Sequence, residues 1–167
     1  VLKVASVSGS GATGIGQLSF GDAGGTNTPA FVAYDNGDQS ISEATYVKAE
    51  FNSEHYDTDN AFASHKFTVP SGSAGNYNFF TQIFLDTVAA NQFSYGVVRF
   101  YKNGSNFGGQ SMLNLANNYG AAATIQSSVG MTLAVGDYIE VYCYLDRASS
   151  TNTKIVNRLF GGYKISE

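Results

Sequence analysis

Hydrophobic and polar residues alternate with a period of two along most of the chain after residue 29, which is the pattern of β-strands that bury one face. No stretch shows the 3.6-residue period of an amphipathic helix. Turns rich in Gly, Asn, Asp and Ser separate the predicted strands, and this indicates an all-β jelly-roll sandwich of two antiparallel sheets. The predicted strands are Ala30–Tyr34, Thr45–Phe51, His65–Val69, Tyr77–Leu85, Tyr95–Lys102, Ala121–Ser127, Met131–Val135, Tyr138–Leu145 and Asn157–Ile165.

Two turns between these strands have a specific chemistry. Asn103-Gly104 ends one strand and favours a type I′ turn, because both residue types tolerate positive φ. Gly136-Asp137 predicts a tight turn between two strands. The polar, glycine- and asparagine-rich stretch Phe107–Tyr119 is predicted to be a long loop.

The strand Tyr77–Leu85 is apolar on both faces. Phe79 lies on one face with Tyr77, Ile83 and Leu85, whereas Phe80 and Phe84 lie on the other. A strand of a two-sheet sandwich buries one face in the core, so the second apolar face must also be covered. We therefore expect a contact with another subunit here.

The first 27 residues are rich in glycine and precede the first predicted strand. We expect a domain boundary there, with residues 1–27 as a stem or docking segment and residues 28–167 as the head. The segment also has apolar residues at strand-like intervals, which a free linker does not need. Contact with a neighbouring chain, by addition of a strand to a sheet edge, is the expected mode of docking. The docking residues are predicted to be Leu2, Val4, Val7, Leu18 and Phe20.

The chain is poor in charge. Only 13% of its 167 residues are charged and the net charge is −4, whereas charged residues make up about 25% of an average globular protein. A surface rich in Ser, Thr, Asn and Gly is typical of an extracellular or virion-exposed β protein. We expect no nucleic-acid binding, which needs a basic face, and no membrane insertion, which needs a longer apolar stretch.

The candidate metal ligands and thiol favour structural roles. Cys143 lies in an apolar alternation and is predicted to be a small buried hydrophobe. Glu54, Asp57 and Asp59 have the alternating spacing of calcium ligands, but the glycine and the closing glutamate of a twelve-residue calcium loop are missing. A turn whose side chains cap backbone amides is favoured there, and no cofactor is expected.

No catalytic constellation is indicated. His55 and His65 are the two histidines, and neither has a cysteine ligand or a nucleophile-elbow serine. No carboxylate pair can be assigned to glycoside hydrolysis. We therefore expect a protein that is not an enzyme, with a polysaccharide-degrading domain as the enzymatic alternative.

Tyrosines mark one face of two predicted strands. Tyr138, Tyr142 and Tyr144 share the face opposite the apolar residues of their strand, and Tyr95 and Tyr101 repeat the pattern one strand earlier. Two interpretations remain open. The tyrosines form either a platform that stacks on sugars or an aromatic core between subunits.

Short motifs follow one another in a fixed order between residues 29 and 165, and their order is more specific than any one of them. They are Pro29-Ala30-Phe31, Phe51-Asn52, Tyr56-Asp57, Gly75-x-Tyr77-x-Phe79, Asn103-Gly104, Leu133-x-x-Gly136-Asp137 and Phe160-x-Gly162. In this order the chain resembles the globular head of the complement q-subcomponent family, a jelly roll of the tumour-necrosis-factor superfamily. It departs from that pattern at Lys164, where the family ending tends to be apolar, and its 167 residues contain no collagen-like Gly-X-Y repeat.

The resemblance implies a homotrimer without catalytic activity, presenting the loops Ser105–Asn118 and Asp146–Thr153 as its contact surface. The residues expected at the trimer interface are Phe80, Phe84, Tyr138, Tyr142, Tyr144, Phe160 and Gly162.

The composition, especially of Phe51–Phe62, is also similar to that of complement-q-like domains in tailed-phage structural proteins. We therefore predict a virion-surface head of a phage fibre or capsid decoration protein, used for attachment or capsid reinforcement. A capsid or fibre protein would hold residues 1–27, and a host surface glycan is the candidate ligand. The alternative is a secreted, lectin-like or cytokine-like recognition domain.

Overall fold

The computed structural model describes residues 27–115, 120–147 and 153–167, and the backbone of residues 3–4 and 18–19. All regular structure within these residues is extended, so the all-β prediction is confirmed. None of the described residues belongs to a helix able to cross a membrane. The strands are, in chain order, β1 (Lys3–Val4), β2 (Leu18–Ser19), β3 (Ala30–Asp35), β4 (Gln39–Ile41), β5 (Val47–Lys48), β6 (Ser53–Asp57), β7 (Phe62–Ala63), β8 (Lys66–Thr68), β9 (Gly75–Asp86), β10 (Phe93–Lys102), β11 (Ser105–Asn114), β12 (Ala122–Leu133), β13 (Tyr138–Arg147) and β14 (Thr153–Ser166).

Strands β3 to β14 form two antiparallel sheets. Sheet I has the order β12-β9-β14-β3-β6, with β4 paired to β14. Sheet II has the order β11-β10-β13-β8-β7, with β5 paired to β13. Long strands that follow one another in the chain often lie in different sheets, as β9 and β10 or β12 and β13 do. This alternation is the topology of a jelly roll.

The core lies between the sheets and is strongly aromatic. Phe79, Phe31 and Phe160 of sheet I are fully buried, and so is Phe67 of sheet II apart from 1% of its surface. The Phe31 ring stacks on Phe67 with 5.1 Å between centroids and meets Phe160 edge-on at 4.9 Å. Each such pair contributes about 0.5–1.5 kcal/mol beyond the burial of its area. Because the rings come from both sheets, their contacts hold the sandwich together.

The turns follow their sequence chemistry. Asn103 and Gly104 have φ values of 52° and 76°, as a type I′ turn requires. Gly136 has φ 84°, and the Asp137 amide donates to the Ala134 carbonyl at 3.1 Å. Both predicted turns are therefore confirmed. The Gly136 turn joins β12 of sheet I to β13 of sheet II and so carries the chain across the sandwich.

The long loop predicted for Phe107–Tyr119 is wrong over most of its length. The chain turns at Gly104 and returns as β11, which pairs with β10 from Lys102↔Ser105 to Tyr95↔Asn114. The edge position of β11 explains its polar composition, because an edge strand of an antiparallel sheet meets solvent along one side. Its apolar alternation is consequently too weak to predict a strand by periodicity.

Candidate functional site

The outer face of sheet I carries a row of large apolar side chains. Phe80 and Phe84 project outward from β9 and are partly exposed. In the neighbouring strand β14, Val156 pairs with Phe84 and Leu159 pairs with Gln82, between the two phenylalanines. We call Phe80, Phe84, Val156 and Leu159 the phenylalanine face. The phenylalanine face lies on β9 and β14, on the side of sheet I opposite the core.

Gly161 allows the ring of Phe80 to lie across β14. A Cβ atom at Gly161 would be 2.4 Å from Cζ of Phe80, so any larger residue would push the ring away. At the rim, the Tyr34 ring stacks on His55 with 4.2 Å between centroids. Tyr163 remains 37% exposed. The apolar area therefore continues across β14 and β3.

An open groove of about 500 Å³ borders the phenylalanine face on the side of β12 and β11. Phe80 forms one wall, and Gln110 of β11 forms part of another. Gln126 donates to Gln82 at 2.7 Å within the lining. The groove is thus polar on one side and apolar on the other.

The outer face of sheet II carries a second cluster. Tyr142 of β13 lies opposite Arg99 of β10, and Tyr144 lies opposite Val97. The Tyr101 ring stacks on Tyr142 with 3.9 Å between centroids. We call this cluster the tyrosine–arginine face, and it consists of Tyr46, Tyr95, Arg99, Tyr101, Tyr142 and Tyr144.

The rings of this face lie close against the sheet. The Tyr144 centroid is 5.0 Å from that of Tyr46 and 5.8 Å from that of Tyr95. Val97 points away from the core by strand alternation, yet it is fully buried. Side chains of the face, such as the directly opposite Tyr144, therefore exclude water from the sheet beneath them.

Arg99 is the unusual member of the face. Its Cζ lies 3.5 Å from the centre of the Tyr46 ring, in cation–π contact. Its Nε is buried without a hydrogen-bond partner, and no described residue forms an ion pair with its guanidinium. Lys48, whose strand pairs with β13 at Tyr142, is already paired, since its Nζ lies 2.8 Å from Glu140 Oε1. Arg99 therefore supplies an uncompensated positive charge.

Burial keeps the central phenols neutral. Desolvation raises the pKa of Tyr142, and Glu140 and Tyr101 raise it further. Desolvation also raises the pKa of Tyr144, with a contribution from Asp146. Both side chains consequently remain hydrogen-bond donors at neutral pH and above.

The structure does not bring the predicted interface residues together. Phe80 and Phe84 lie on the outer face of sheet I, whereas Tyr142 and Tyr144 lie on the outer face of sheet II. Tyr138 also lies on sheet II, where Lys66 Nζ approaches its ring to 4.4 Å. The two groups are thus separated by the full thickness of the sandwich.

Phe160 and Gly162 belong to the core, so the prediction that they lie at the trimer interface is wrong. Phe160 has no exposed surface and packs on Phe31. A Cβ at Gly162 would be 2.4 Å from Cδ1 of the buried Phe79. Gly162 therefore accommodates a ring of its own chain, and neither residue is available to a neighbouring chain.

The predicted docking side chains Leu2, Val4, Val7, Leu18 and Phe20 lie outside the described residues. Only the backbone pairing of β1 with β2 is described, through Lys3↔Ser19 and Val4↔Leu18. The docking role of residues 1–27 and the domain boundary at residue 27 remain predictions.

The carboxylates near residue 57 have structural roles. Asp57 accepts hydrogen bonds from the amides of Ala61 at 3.0 Å and Phe62 at 2.8 Å, and Asp59 accepts one from Thr58 at 2.5 Å. Among the described residues, no three His, Cys, Asp or Glu side chains come together as metal ligands. Asp57 and Asp59, the candidate calcium ligands, therefore act as hydrogen-bond acceptors within this turn.

The thiol and the histidines are also tied into the fold. Cys143 is fully buried, and burial raises the pKa of its thiol to about 12. Nδ1 of His65 lies 3.1 Å from the Phe51 amide. His55 stacks on Tyr34. These contacts give each side chain a structural explanation.

Sequence reasoning missed Arg99 and Tyr46 as members of the tyrosine–arginine face. The alternation of β10 contained the signal for Arg99, because Tyr95, Arg99 and Tyr101 are separated by even numbers of residues. Alternation in the predicted strand Thr45–Phe51 also separated Tyr46 from the apolar face of that strand, but it gave no sign of which strand lies beside it. Its place beside Tyr144 depends on the pairing of β5 with β13.

Many solved structures have a similar fold, including the following three. The globular domain of zebrafish complement 1qA protein matches 84% of this chain and 99% of its own, with TM-score 0.57 and 16% identity. Eiger TNF from S. frugiperda matches 83% of this chain and 92% of its own, with TM-score 0.56 and 13% identity. Murine APRIL at pH 5.0 matches 81% of this chain and 98% of its own, with TM-score 0.56 and 14% identity.

At these identities the likeness shows the fold, and the predicted jelly roll of the complement-q and tumour-necrosis-factor type is confirmed. No protein-family model matches the sequence, and a comparison with curated proteins finds no match either.

Proposed function

We propose that this chain is a non-catalytic recognition head that assembles as a homotrimer through the phenylalanine face of sheet I. The observation that carries the proposal is the row of partly exposed Phe80, Phe84, Val156 and Leu159 on the two central strands. A monomer rarely leaves a continuous apolar row of this kind in water. A closed symmetric assembly buries it on every copy at once.

The two aromatic faces have different roles in this proposal. They lie on opposite sides of the sandwich, so one flat contact cannot cover both. The phenylalanine face contains no charged side chain and suits permanent burial. The tyrosine–arginine face contains the uncompensated guanidinium of Arg99, whose burial without a partner is unfavourable. The first face is therefore assigned to assembly, and the second stays open to a ligand.

The assembly is tested by light scattering of the purified chain and two variants. The wild type is expected at three times the chain mass of 17.7 kDa. Phe84→Lys is expected as a folded monomer, because it places a charge within the apolar contact. Phe107→Lys is the matched control, since Phe107 is 48% exposed on β11 of the other sheet. A monomeric wild type, or dissociation by both substitutions alike, would refute this assignment.

For the biological setting we propose the surface of a virion, as a phage fibre or capsid decoration head. The support is compositional: the chain is poor in charge and rich in Ser, Thr, Asn and Gly. Residues 1–27 would dock onto the capsid or fibre protein. Deleting them is expected to leave a folded trimer that is lost from particles. Incorporation of the truncated head at full occupancy would contradict the docking role.

A secreted, lectin-like or cytokine-like recognition domain is the second candidate. The likeness in fold to complement 1qA, Eiger TNF and APRIL chains supports it. Fractionation separates the two settings, because a decoration protein sediments with particles and a secreted domain stays in the medium. A reducing-sugar assay on polysaccharides, with no product expected, tests the non-catalytic part of the proposal.

A further inference from the structure

The tyrosine–arginine face contains a charge that the described part of the protein leaves unsatisfied. The Cζ atom of the Arg99 guanidinium lies 3.5 Å from the centre of the Tyr46 ring, and the guanidinium forms no hydrogen bond or ion pair with a described residue. Stacking and the covered Nε restrict its rotation. Arg99 is also partly exposed, so its guanidinium is accessible to an anionic partner.

The geometry of a guanidinium favours one kind of anion. Two parallel N–H groups match the two oxygens of a carboxylate, and this bidentate pair is stronger than a contact with a neutral acceptor. Lys48 does not compete for such an anion, because Glu140 already neutralises it at 2.8 Å. The face thus provides one cationic position for one carboxylate.

The surroundings of Arg99 suit a sugar ring. Tyr142, directly opposite Arg99, stacks with Tyr101 at 3.9 Å, and Tyr144 lies next along β13. Tyrosine rings offer an apolar surface for the C–H face of a pyranose, and their hydroxyls donate hydrogen bonds. Val97, on the same face of β10, is fully buried, so water is excluded from the sheet beneath these rings.

We propose that the tyrosine–arginine face binds a carboxylated saccharide, with Arg99 pairing to the carboxylate and Tyr142 and Tyr144 contacting the pyranose. The inference rests on the proposed recognition role and names its ligand class. It does not depend on the trimer, because every residue of the site belongs to one chain and to sheet II.

The test is isothermal titration of the full chain with 3′-sialyllactose and with lactose, which lacks the carboxylated sugar. The wild type is expected to bind sialyllactose and to bind lactose at least tenfold more weakly, since a hydrogen-bonded charge is lost. Arg99→Gln is expected to remove this preference. Arg99→Lys keeps the charge without the planar fork and is expected to restore only part of it.

Lys102→Gln is the matched control. It removes the same charge from the same strand, but Lys102 pairs with the core residue Ile139 and so lies on the opposite side of sheet II, where its Nζ is 2.8 Å from Asp137 and 3.4 Å from the Thr132 carbonyl. Its preference for sialyllactose is expected to stay within about twofold of the wild type, because the charge of Lys102 lies on the other side of the sheet and is already paired with Asp137. Tyr142→Ala is expected to weaken both sugars together, since it removes stacking rather than charge.

Equal affinity of the wild type for the two sugars, or no binding of either, would overturn the proposal. An equal effect of Lys102→Gln and Arg99→Gln would also overturn it, because general electrostatics would then explain the preference. Failure here is distinguishable from failure of the proposed assembly. A trimer that ignores sialyllactose contradicts this inference alone, and a monomer that binds it contradicts the assembly alone.

Discussion

Gly161 and Gly162 are adjacent in β14, and their missing side chains face opposite sides of sheet I. A Cβ at Gly162 would be 2.4 Å from Cδ1 of Phe79, and a Cβ at Gly161 would be 2.4 Å from Cζ of Phe80. The two overlaps are equal in distance, but Phe79 is fully buried and Phe80 is partly exposed. Alanine at these two positions therefore tests the two sides of the sheet separately.

Gly162→Ala is expected to destabilise the fold by about 1–3 kcal/mol, the usual cost of overpacking a core. The Phe79 ring cannot retreat, because Phe67 at 5.4 Å and Phe160 at 6.1 Å enclose it. For a chain of this length each kcal/mol lowers the melting temperature by about 2–4 °C. Gly161→Ala is expected to cost less than about 1 kcal/mol of folding stability, since the Phe80 ring can rotate into solvent.

The assay is urea unfolding followed by far-UV circular dichroism, with both substitutions made in the Phe84→Lys background. That background is expected to be monomeric, so association does not add a concentration-dependent term to the free energy of unfolding. In the otherwise wild-type chain, Gly161→Ala is expected to weaken the trimer by displacing Phe80. An unchanged midpoint for Gly162→Ala, or equal losses for both variants in the monomer, would refute the reasoning.

Three further outcomes are expected. Cys143 should resist alkylation in the native state and react after unfolding, because burial raises its thiol pKa to about 12; rapid labelling of the folded chain would place the thiol at an accessible site. Phe79→Ala should lower the free energy of unfolding by about 3–5 kcal/mol by leaving a cavity. A denaturation midpoint within error of the wild type would contradict the placement of Phe79 in the core. Hydrogen bonds from Lys102 and Asn103 lower the pKa of Asp137 to about 2. Its contribution to the free energy of unfolding is therefore present above about pH 4, the pKa of an unfolded aspartate, and is lost as the pH falls to 2. Asp137→Asn should remove that part of the acid dependence, and identical acid profiles by circular dichroism would show that Asp137 contributes nothing.

Much of the fold could be predicted from local patterns. The period-two alternation located β9, β10, β13 and β14, but it divided β12 into two strands. It placed Phe79 inward and Phe80 outward as the structure does. The Asn103-Gly104 turn followed from the two residue types that tolerate positive φ. Strand β11 was not predicted because apolar and polar residues do not alternate clearly along a polar edge strand. The hairpin turn before it was the better signal.

The candidate site was only partly predictable. Tyr142 and Tyr144 were assigned to one face of their strand, and that assignment agrees with the structure. Their grouping with Phe80 and Phe84 does not follow, because alternation gives the side of a strand and not the sheet to which the strand belongs. Phe160 was assigned to the interface from the resemblance, and alternation alone does not show which side of a strand faces the core.

The sequence by itself determined which residues of each strand share a face, because side chains alternate along any extended backbone whatever its partners. It also determined the turns that need glycine or asparagine and the aromatic content of the core. Only the tertiary structure decided that β9 and β13 lie in different sheets, and hence that the phenylalanine and tyrosine–arginine faces lie back to back. It alone brought Arg99 onto the ring of Tyr46. The physical reason is that strand order depends on which long-range pairings bury the most apolar surface together, a property of the whole chain that no local pattern contains.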